Sequence, residues 1–139
     1  MRRNDPIANL MTKKVSTVQR GQKPSEARQQ LVAGGFHHLP VLDGQKLVGI
    51  ISANDFLKFS LKGWGSDDKT MDALLDQQVS LEALMTPDPI TVTERSTVRD
   101  AAQLLNSGSF HSLPVVDGKG QLVGLVTSTD LIQYLSAQY

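Results

Sequence analysis

Residues 36–57 read FHHLPVLDGQKLVGIISANDFL, and residues 110–132 read FHSLPVVDGKGQLVGLVTSTDLI. The chain therefore states one unit twice. The offset is 74 from Met11 to Met85 and 75 from Leu47 to Leu122, so the second copy gains one residue near Gly118. Residues 11–44 match residues 85–118 at 15 of 34 positions, where chance would give roughly two. Neither copy buries much core alone, so two repeats related by a pseudo-two-fold are expected to pack together and leave a cleft with two equivalent halves.

Within 139 residues the Lys+Arg and Asp+Glu counts are both 14, giving a formal charge of zero. That balance lacks the positive field a nucleic-acid binder uses to collect phosphates. The absence of cysteine excludes disulfides, thiolate zinc sites and cysteine nucleophiles. No apolar run approaches the length of a membrane helix, and the MRRNDPIANLM start lacks the apolar stretch of a signal peptide. A soluble, cytoplasmic protein without membrane insertion is expected.

The repeat order reads helix, strand, helix, strand, strand, helix. Asp5-Pro6 has the form of an N-cap and first helical residue before Ile7, Leu10 and Met11; Ser80 opens the counterpart Leu81, Leu84 and Met85. Short β-branched segments follow at Val15–Val18 and Pro89–Val92. Helices begin at Pro24 and Val98, the second capped by Thr97 with Asp100. They bury stripes at Ala27, Leu31 and Val32 and at Val98, Ala101, Ala102 and Leu105, and end at Gly34 and Gly108. Asp43-Gly44 and the longer Asp117–Gly120 join paired strands, whose Pro40 and Pro114 should lie at a strand start or an edge. Closing helices run from about Asn54 to Leu61 and from Thr129 to Ala137. The division is residues 1–62, a linker with a short helix at 63–78, and residues 79–139. Met71, Leu74 and Leu75 suggest one helical turn there, and Trp64 is expected to pack on an edge of the core.

Two polar patterns recur. Gly49-Ile-Ile-Ser52-Ala-Asn54-Asp55 matches Gly124-Leu-Val-Thr127-Ser-Thr129-Asp130, a strand entering a helix with a hydroxyl at the junction and an acid three residues on. Helix N-terminal amides and a hydroxyl attract phosphate, and an acid there can accept from the vicinal hydroxyls of a ribose. The same pattern is also a plain Ser/Thr-x-x-Asp capping box. His37 and His111 are the second repeated position, with His38 beside the first and Ser112 beside the second. Without a carboxylate or further histidine nearby they do not form a metal site. No catalytic motif is present, and two aspartates in near-identical contexts do not make an acid/base pair. No enzyme activity and no required cofactor are expected.

The ordered pair of His-x-Leu-Pro-Val-x-Asp and Gly-h-h-Ser/Thr-x-x-Asp segments resembles the cystathionine-β-synthase (CBS) domain in tandem, a Bateman module, over nearly the whole chain from Ile7 to Tyr139. The resemblance implies an α+β fold of two repeats meeting through their small sheets, with clefts that take AMP, ADP, ATP or S-adenosylmethionine. It implies that Asp55 and Asp130 hold ribose hydroxyls. Ser52, Asn54, Thr127 and Thr129 would lie near phosphates, and Ser16, Thr17, Ile90 and Thr91 would enclose the base. His37-His38 and His111-Ser112 take the place of a basic pair, and Pro40 and Pro114 count among the ligand-binding residues. Energy-sensing members carry arginine where His38 and Ser112 stand, which favours a monophosphate over a clamped triphosphate. Lys13 and Lys14 would add charge to one cleft, whereas Pro87 and Asp88 cannot, so the clefts should differ.

The expectation is a stand-alone regulatory module that binds an adenine nucleotide and signals occupancy to an unidentified regulated protein. Family members pair into disc-like homodimers through their helices, a use that exposed apolar faces at Ile7–Met11 and Leu81–Met85 would suit. The competing reading is a ligand-free interaction module whose Asp55 and Asp130 are only caps.

Overall fold

A two-residue turn forms one position later than the Asp43-Gly44 pair suggests: Asp43 ends its strand opposite Lys46, and Gly44, at φ 65°, and Gln45 make the loop. It joins β2 (His38–Asp43) to β3 (Lys46–Ser52) as an antiparallel pair. The Gln19 amide clasps the turn, donating to the Gly44 carbonyl at 2.9 Å and accepting from the Gly44 amide at 3.1 Å. The second hairpin pairs β6 (Ser112–Val116) with β7 (Leu122–Thr127). Its extra residue is absorbed by Asp117, whose Oδ1 accepts from the amides of Lys119 at 2.8 Å and Gln121 at 3.0 Å.

The computed structural model describes residues 5–60 and 68–139; Trp64 and Leu61 lie outside them. The chain divides into two compact units, one of Ser16–Asp88 and one combining Met1–Val15 with Pro89–Tyr139. In the Ser16–Asp88 unit, β1 (Val18–Gln19) lies parallel to β2 and β4 (Thr86–Pro87) antiparallel to β3, giving the order β1-β2-β3-β4. Helices α1 (Pro24–Gly34), α2 (Ala53–Ser60), α3 (Asp68–Gln78) and α4 (Leu81–Leu84) complete it. The other unit has the order β5-β6-β7, with β5 (Val92–Thr93) parallel to β6, and helices α5 (Val98–Leu105) and α6 (Ser128–Ala137).

In each core the central strand contributes alternate residues, Leu39 and Val41 or Leu113 and Val115, with the intervening Pro40 and Pro114 buried as well, and the preceding helix adds one stripe. Val18, Ala27, Leu31, Leu39, Val41, Ile51, Phe56, Leu75 and Leu81 form one; Ile7, Val92, Val98, Ala101, Leu105, Leu113, Val115 and Val126 form the other. The membership of Ile7 and Leu81 corrects an expectation. The helical openings at Ile7–Met11 and Leu81–Met85 are not exposed apolar faces, because each is consumed in a core. Ile7, from the first repeat, is fully buried among second-repeat residues, and Leu81, from the second, is buried among first-repeat residues. The two repeats have exchanged their opening segments.

Backbone pairing fixes both exchanged segments. Thr12 and Leu125 exchange amide–carbonyl bonds of 2.9 and 3.0 Å at the edge of β7, and Thr86 pairs with Ile50 at the edge of β3. This explains the repeated glycine of the Gly-h-h-Ser/Thr motif. A Cβ on Gly124 would stand 2.5 Å from the Met11 sulfur and 3.1 Å from the Thr12 carbonyl oxygen; one on Gly49 would strike Met85 and stand 3.0 Å from the Thr86 oxygen.

Other expectations shift locally. Asp5 does not cap a helix: the opening is a 3-10 turn, Ile7–Asn9, without a side-chain cap, and the Asp5 carboxylate accepts instead from the Tyr134 hydroxyl. The short strands start at Val18 and Val92, the last residues of the segments expected to be extended. Pro40 and Pro114 lie inside central strands, neither at a start nor at an edge. They are tolerated because β1 reaches only Val41 and Leu42, and β5 only Val115 and Val116. Helix α1 passes through Gly34 and is ended by Gly35 at φ 66°. Val32 is 71% exposed and Ala102 is exposed, so the buried stripes are narrower than the spacing suggests.

Candidate functional site

Both strand-to-helix junctions are built from the repeated hydroxyl and acid. Thr127 is extended, at φ −113° and ψ 166°, and caps α6: its Oγ1 accepts from the Asp130 amide at 3.1 Å while Asp130 Oδ2 accepts from the Thr127 amide at 2.8 Å. At the other junction Asp55 Oδ2 accepts twice from Ser52, from the amide at 2.7 Å and from the hydroxyl at 3.1 Å. The hydroxyls thus play opposite parts, Thr127 as acceptor and Ser52 as donor.

A second bond ties each junction to the neighbouring strand. The Ala53 amide donates to the His37 carbonyl at 3.1 Å, and the Ser128 amide to the His111 carbonyl at 3.0 Å. Across the ladders His38 faces Ser52 and Ser112 faces Thr127. Because β1 and β5 run parallel to β2 and β6, Ser16-Thr17 and Ile90-Thr91 enter at the same end of each sheet. The structure therefore gathers Ser16, Thr17, His37, His38, Ser52, Asn54 and Asp55 at one end of one sheet. It gathers Ile90, Thr91, His111, Ser112, Thr127, Thr129 and Asp130 at the matching end of the other.

Accessibility divides these residues. His37, Asn54, Ile90, Thr91, His111 and Thr129 are exposed; Ser16, Thr17, His38, Ser52, Asp55, Thr127 and Asp130 are half-buried. Pro40, Pro114 and Ser112 are buried, so the prolines shape the strands and present no side chain to solvent. In both carboxylates Oδ2 serves the cap, and no bond to Oδ1 is found among the described residues. A cap and a free acceptor thus coexist on one side chain. Lys13 and Lys14 follow the Thr12 bridge and belong to the unit of Asp130, not to that of Asp55. Among the described residues no cluster of His, Cys, Asp or Glu is suited to a metal ion.

Two polar links lie outside the sequence reading. Helix α3 docks on α1 through Asp72 to Arg28 and Asp76 to Ser25. The available signal was the spacing of Asp72, Leu75 and Asp76, three side chains on one helical face with the leucine buried. The Asp5–Tyr134 bond spans 129 positions and had no local signal.

Comparison with known proteins agrees with this architecture. The chain is similar to CBSX2, whose crystal structure is a complex with AMP, at 28% identity and TM-score 0.80, over 97% of this chain and 99% of that one. It is similar to the CBS domain pair of MJ0100 in complex with 5′-methylthioadenosine and S-adenosyl-L-methionine, at 27% identity and TM-score 0.78, over 96% and 98%. Among curated proteins, it is 31% identical to a CBS domain-containing protein of Dictyostelium discoideum, covering 93% of this chain and 90% of that one. It spans only 48% of the 28%-identical MJ1225 of Methanocaldococcus jannaschii, and 23% of a 32%-identical inosine-5′-monophosphate dehydrogenase of Korarchaeum cryptofilum. No helix among the described residues is long and apolar enough to cross a membrane. The CBS domain matches at residues 7–62 and again at 81–137, so this chain belongs to the CBS-domain family as a tandem pair.

Proposed function

We propose that the chain is a regulatory ligand-sensing module that binds an adenosine-containing molecule, with AMP, ADP or ATP as the leading candidates, and signals occupancy to a partner protein. The supporting observation is the free Oδ1 acceptor of Asp55 and Asp130 beside a helix N-terminus, in a chain similar to AMP-bound CBSX2. In this reading the carboxylate accepts from both ribose hydroxyls, the junction hydroxyls and Asn54 or Thr129 meet phosphate, and residues 16–17 or 90–91 flank the base. The imidazoles of His37, His38 and His111 supply weaker positive charge than arginine would, which favours a monophosphate. Catalysis, a required cofactor and a nucleic-acid partner form no part of this proposal, and its setting is the cytoplasm.

Thermal-shift measurements with AMP, ADP, ATP, S-adenosylmethionine and NAD test it. A ligand at a hundred times its dissociation constant adds about 2.7 kcal/mol, worth several degrees for a chain of this size. The shift should vanish in Asp55→Ala or Asp130→Ala, whichever junction is occupied. A second reading, a ligand-free interaction module, draws support from the caps, which account for both aspartates without a ligand. It is the outcome if no compound shifts the wild type.

The proposal includes a homodimer. Leu57 on α2 and Ile132 and Leu135 on α6 are 56%, 62% and 40% exposed, and they replace the buried Ile7 and Leu81 as the apolar helix faces for self-association. Elution at monomer size across micromolar concentrations would exclude it.

A further inference from the structure

Helix α6 carries two functions one turn apart. Asp130, in its first turn, is the candidate ribose acceptor; Tyr134, four residues on, donates its hydroxyl to the carboxylate of Asp5. Residues Asp5–Thr12 form a strap over this unit. The strap is held by the Val98 amide on the Asp5 carbonyl (2.8 Å), the Ile7 amide on the Ser96 carbonyl (2.9 Å), the Thr12–Leu125 pair and the fully buried Ile7 side chain. Thr12 pairs two residues before the cap Thr127, and Met11 packs against Gly124 of the same strand. Strap, strand end and helix start thus meet around one junction.

The other unit lacks the polar link. By the repeat offsets Phe59 stands for Tyr134 and Val79 for Asp5, so neither the hydroxyl nor the carboxylate is present. The difference lies at the two positions that join strap to helix.

We infer that the Asp5–Tyr134 bond couples occupancy of the Asp130 junction to closure of the 5–12 strap, and that this unit, not the Ser16–Asp88 unit, issues the signal. The inference rests on the nucleotide reading of Asp130. A ligand bound there favours the state in which the first turn of α6 is fixed, and Tyr134 carries that preference to Asp5. A ligand can shift the strap only through such a difference between the two states, and the coupling is reciprocal. From Thr12 the chain continues through residues 13–17 into β1.

Hydrogen exchange on the full chain, with AMP or S-adenosylmethionine as the thermal shift selects, tests this. In the wild type the ligand should slow exchange of the Ile7 and Thr12 amides by about fivefold or more. In Tyr134→Phe the ligand should still give a thermal shift while that slowing is lost. Asp5→Asn, which keeps an acceptor for the phenol, should retain it, whereas Asp5→Ala should not. Equal exchange with and without bound ligand in the wild type, or full slowing in Tyr134→Phe, overturns the coupling and leaves the nucleotide reading standing. Absence of any thermal shift overturns the nucleotide reading and the coupling with it.

Discussion

The guanidinium of Arg28 grips the carboxylate of Asp72 through two bonds, Nε to Oδ1 at 2.6 Å and Nη2 to Oδ2 at 3.0 Å. One turn along α3, Asp76 accepts from the amide (2.9 Å) and hydroxyl (2.5 Å) of Ser25, serving a free amide of the first turn of α1. Lys23, the residue at the α1 N-cap, makes no side-chain cap of its own. The segment between the repeats is therefore a structural part of the Ser16–Asp88 unit.

The pair makes stability depend on acid. Hydrogen bonding from Arg28, with a further bond from Gln29 and the Arg28 charge, outweighs burial and holds the Asp72 carboxyl below its usual range. A lowered folded-state value means the contribution is complete above the unfolded pKa, about 4, and disappears as pH falls through the folded value. Arg28→Met should cost about 1.5–3 kcal/mol at pH 7, and the deficit should shrink at strongly acid pH. Urea unfolding at both pH values measures it; an unchanged deficit would assign the loss to packing.

Cap and ligand acceptor can be separated at Asp130. Thr127→Ala removes the hydroxyl that receives the Asp130 amide and should cost about 0.5–2 kcal/mol, yet it leaves the carboxylate in place. Nucleotide-induced stabilisation should therefore be weakened in Thr127→Ala, which loses one phosphate donor, and disappear in Asp130→Ala. Undiminished stabilisation in Thr127→Ala would remove the hydroxyl from the phosphate contacts and leave the acid as the ligand's acceptor.

Exchange of the opening segments predicts where damage travels. Ile7→Ala leaves a cavity in the core of the unit that contains β6 and β7 and should cost about 2–5 kcal/mol. Amide protection should fall in β6 and β7, while β2 and β3, from the repeat that contains Ile7 in sequence, keep theirs. The reverse pattern in hydrogen exchange would contradict the exchange of segments.

Gly124→Ala places a methyl against Met11 and the Thr12 carbonyl. The thioether can move but the backbone cannot without loosening the Thr12–Leu125 pair, so a loss of about 1–3 kcal/mol is expected. Thermal melts should show it, with Gly118→Ala, whose Cβ meets nothing within 4 Å, as the neutral control.

The sequence displayed the local parts of this fold and hid the long-range ones. Hairpins, helix starts at Pro24 and Val98, and the Thr127 cap rest on contacts within a few residues, where turn and cap chemistry acts directly. The site residues gather at matching sheet ends because the Ser52 and Thr127 motifs each sit at one strand terminus. Three features escaped. The apolar residues Ile7 and Leu81 need cover, but nothing local says that the core of the other repeat supplies it, which is why they read as exposed faces for a second copy of the chain. The carboxylates of Asp72 and Asp5 find partners 44 and 129 positions away. The repeated Gly49 and Gly124 gain meaning only when another backbone lies beside them.

The exchanged segments also set an order of events during synthesis. Ser16–Asp88 is one continuous run, so the ribosome completes that unit first. Ile7, though made earlier, has no core to enter until Pro89–Tyr139 emerges. The strap is translated before the Ser16–Asp88 unit yet finds its place after it, and until then a nascent chain carries it with its apolar side uncovered. A gene fragment stopped at residue 62, where the first repeat ends by sequence, would lack Leu75 and Leu81 of its own core and still carry that unpartnered strap. A fragment of Ser16–Asp88 is the piece cut along the boundary the fold uses.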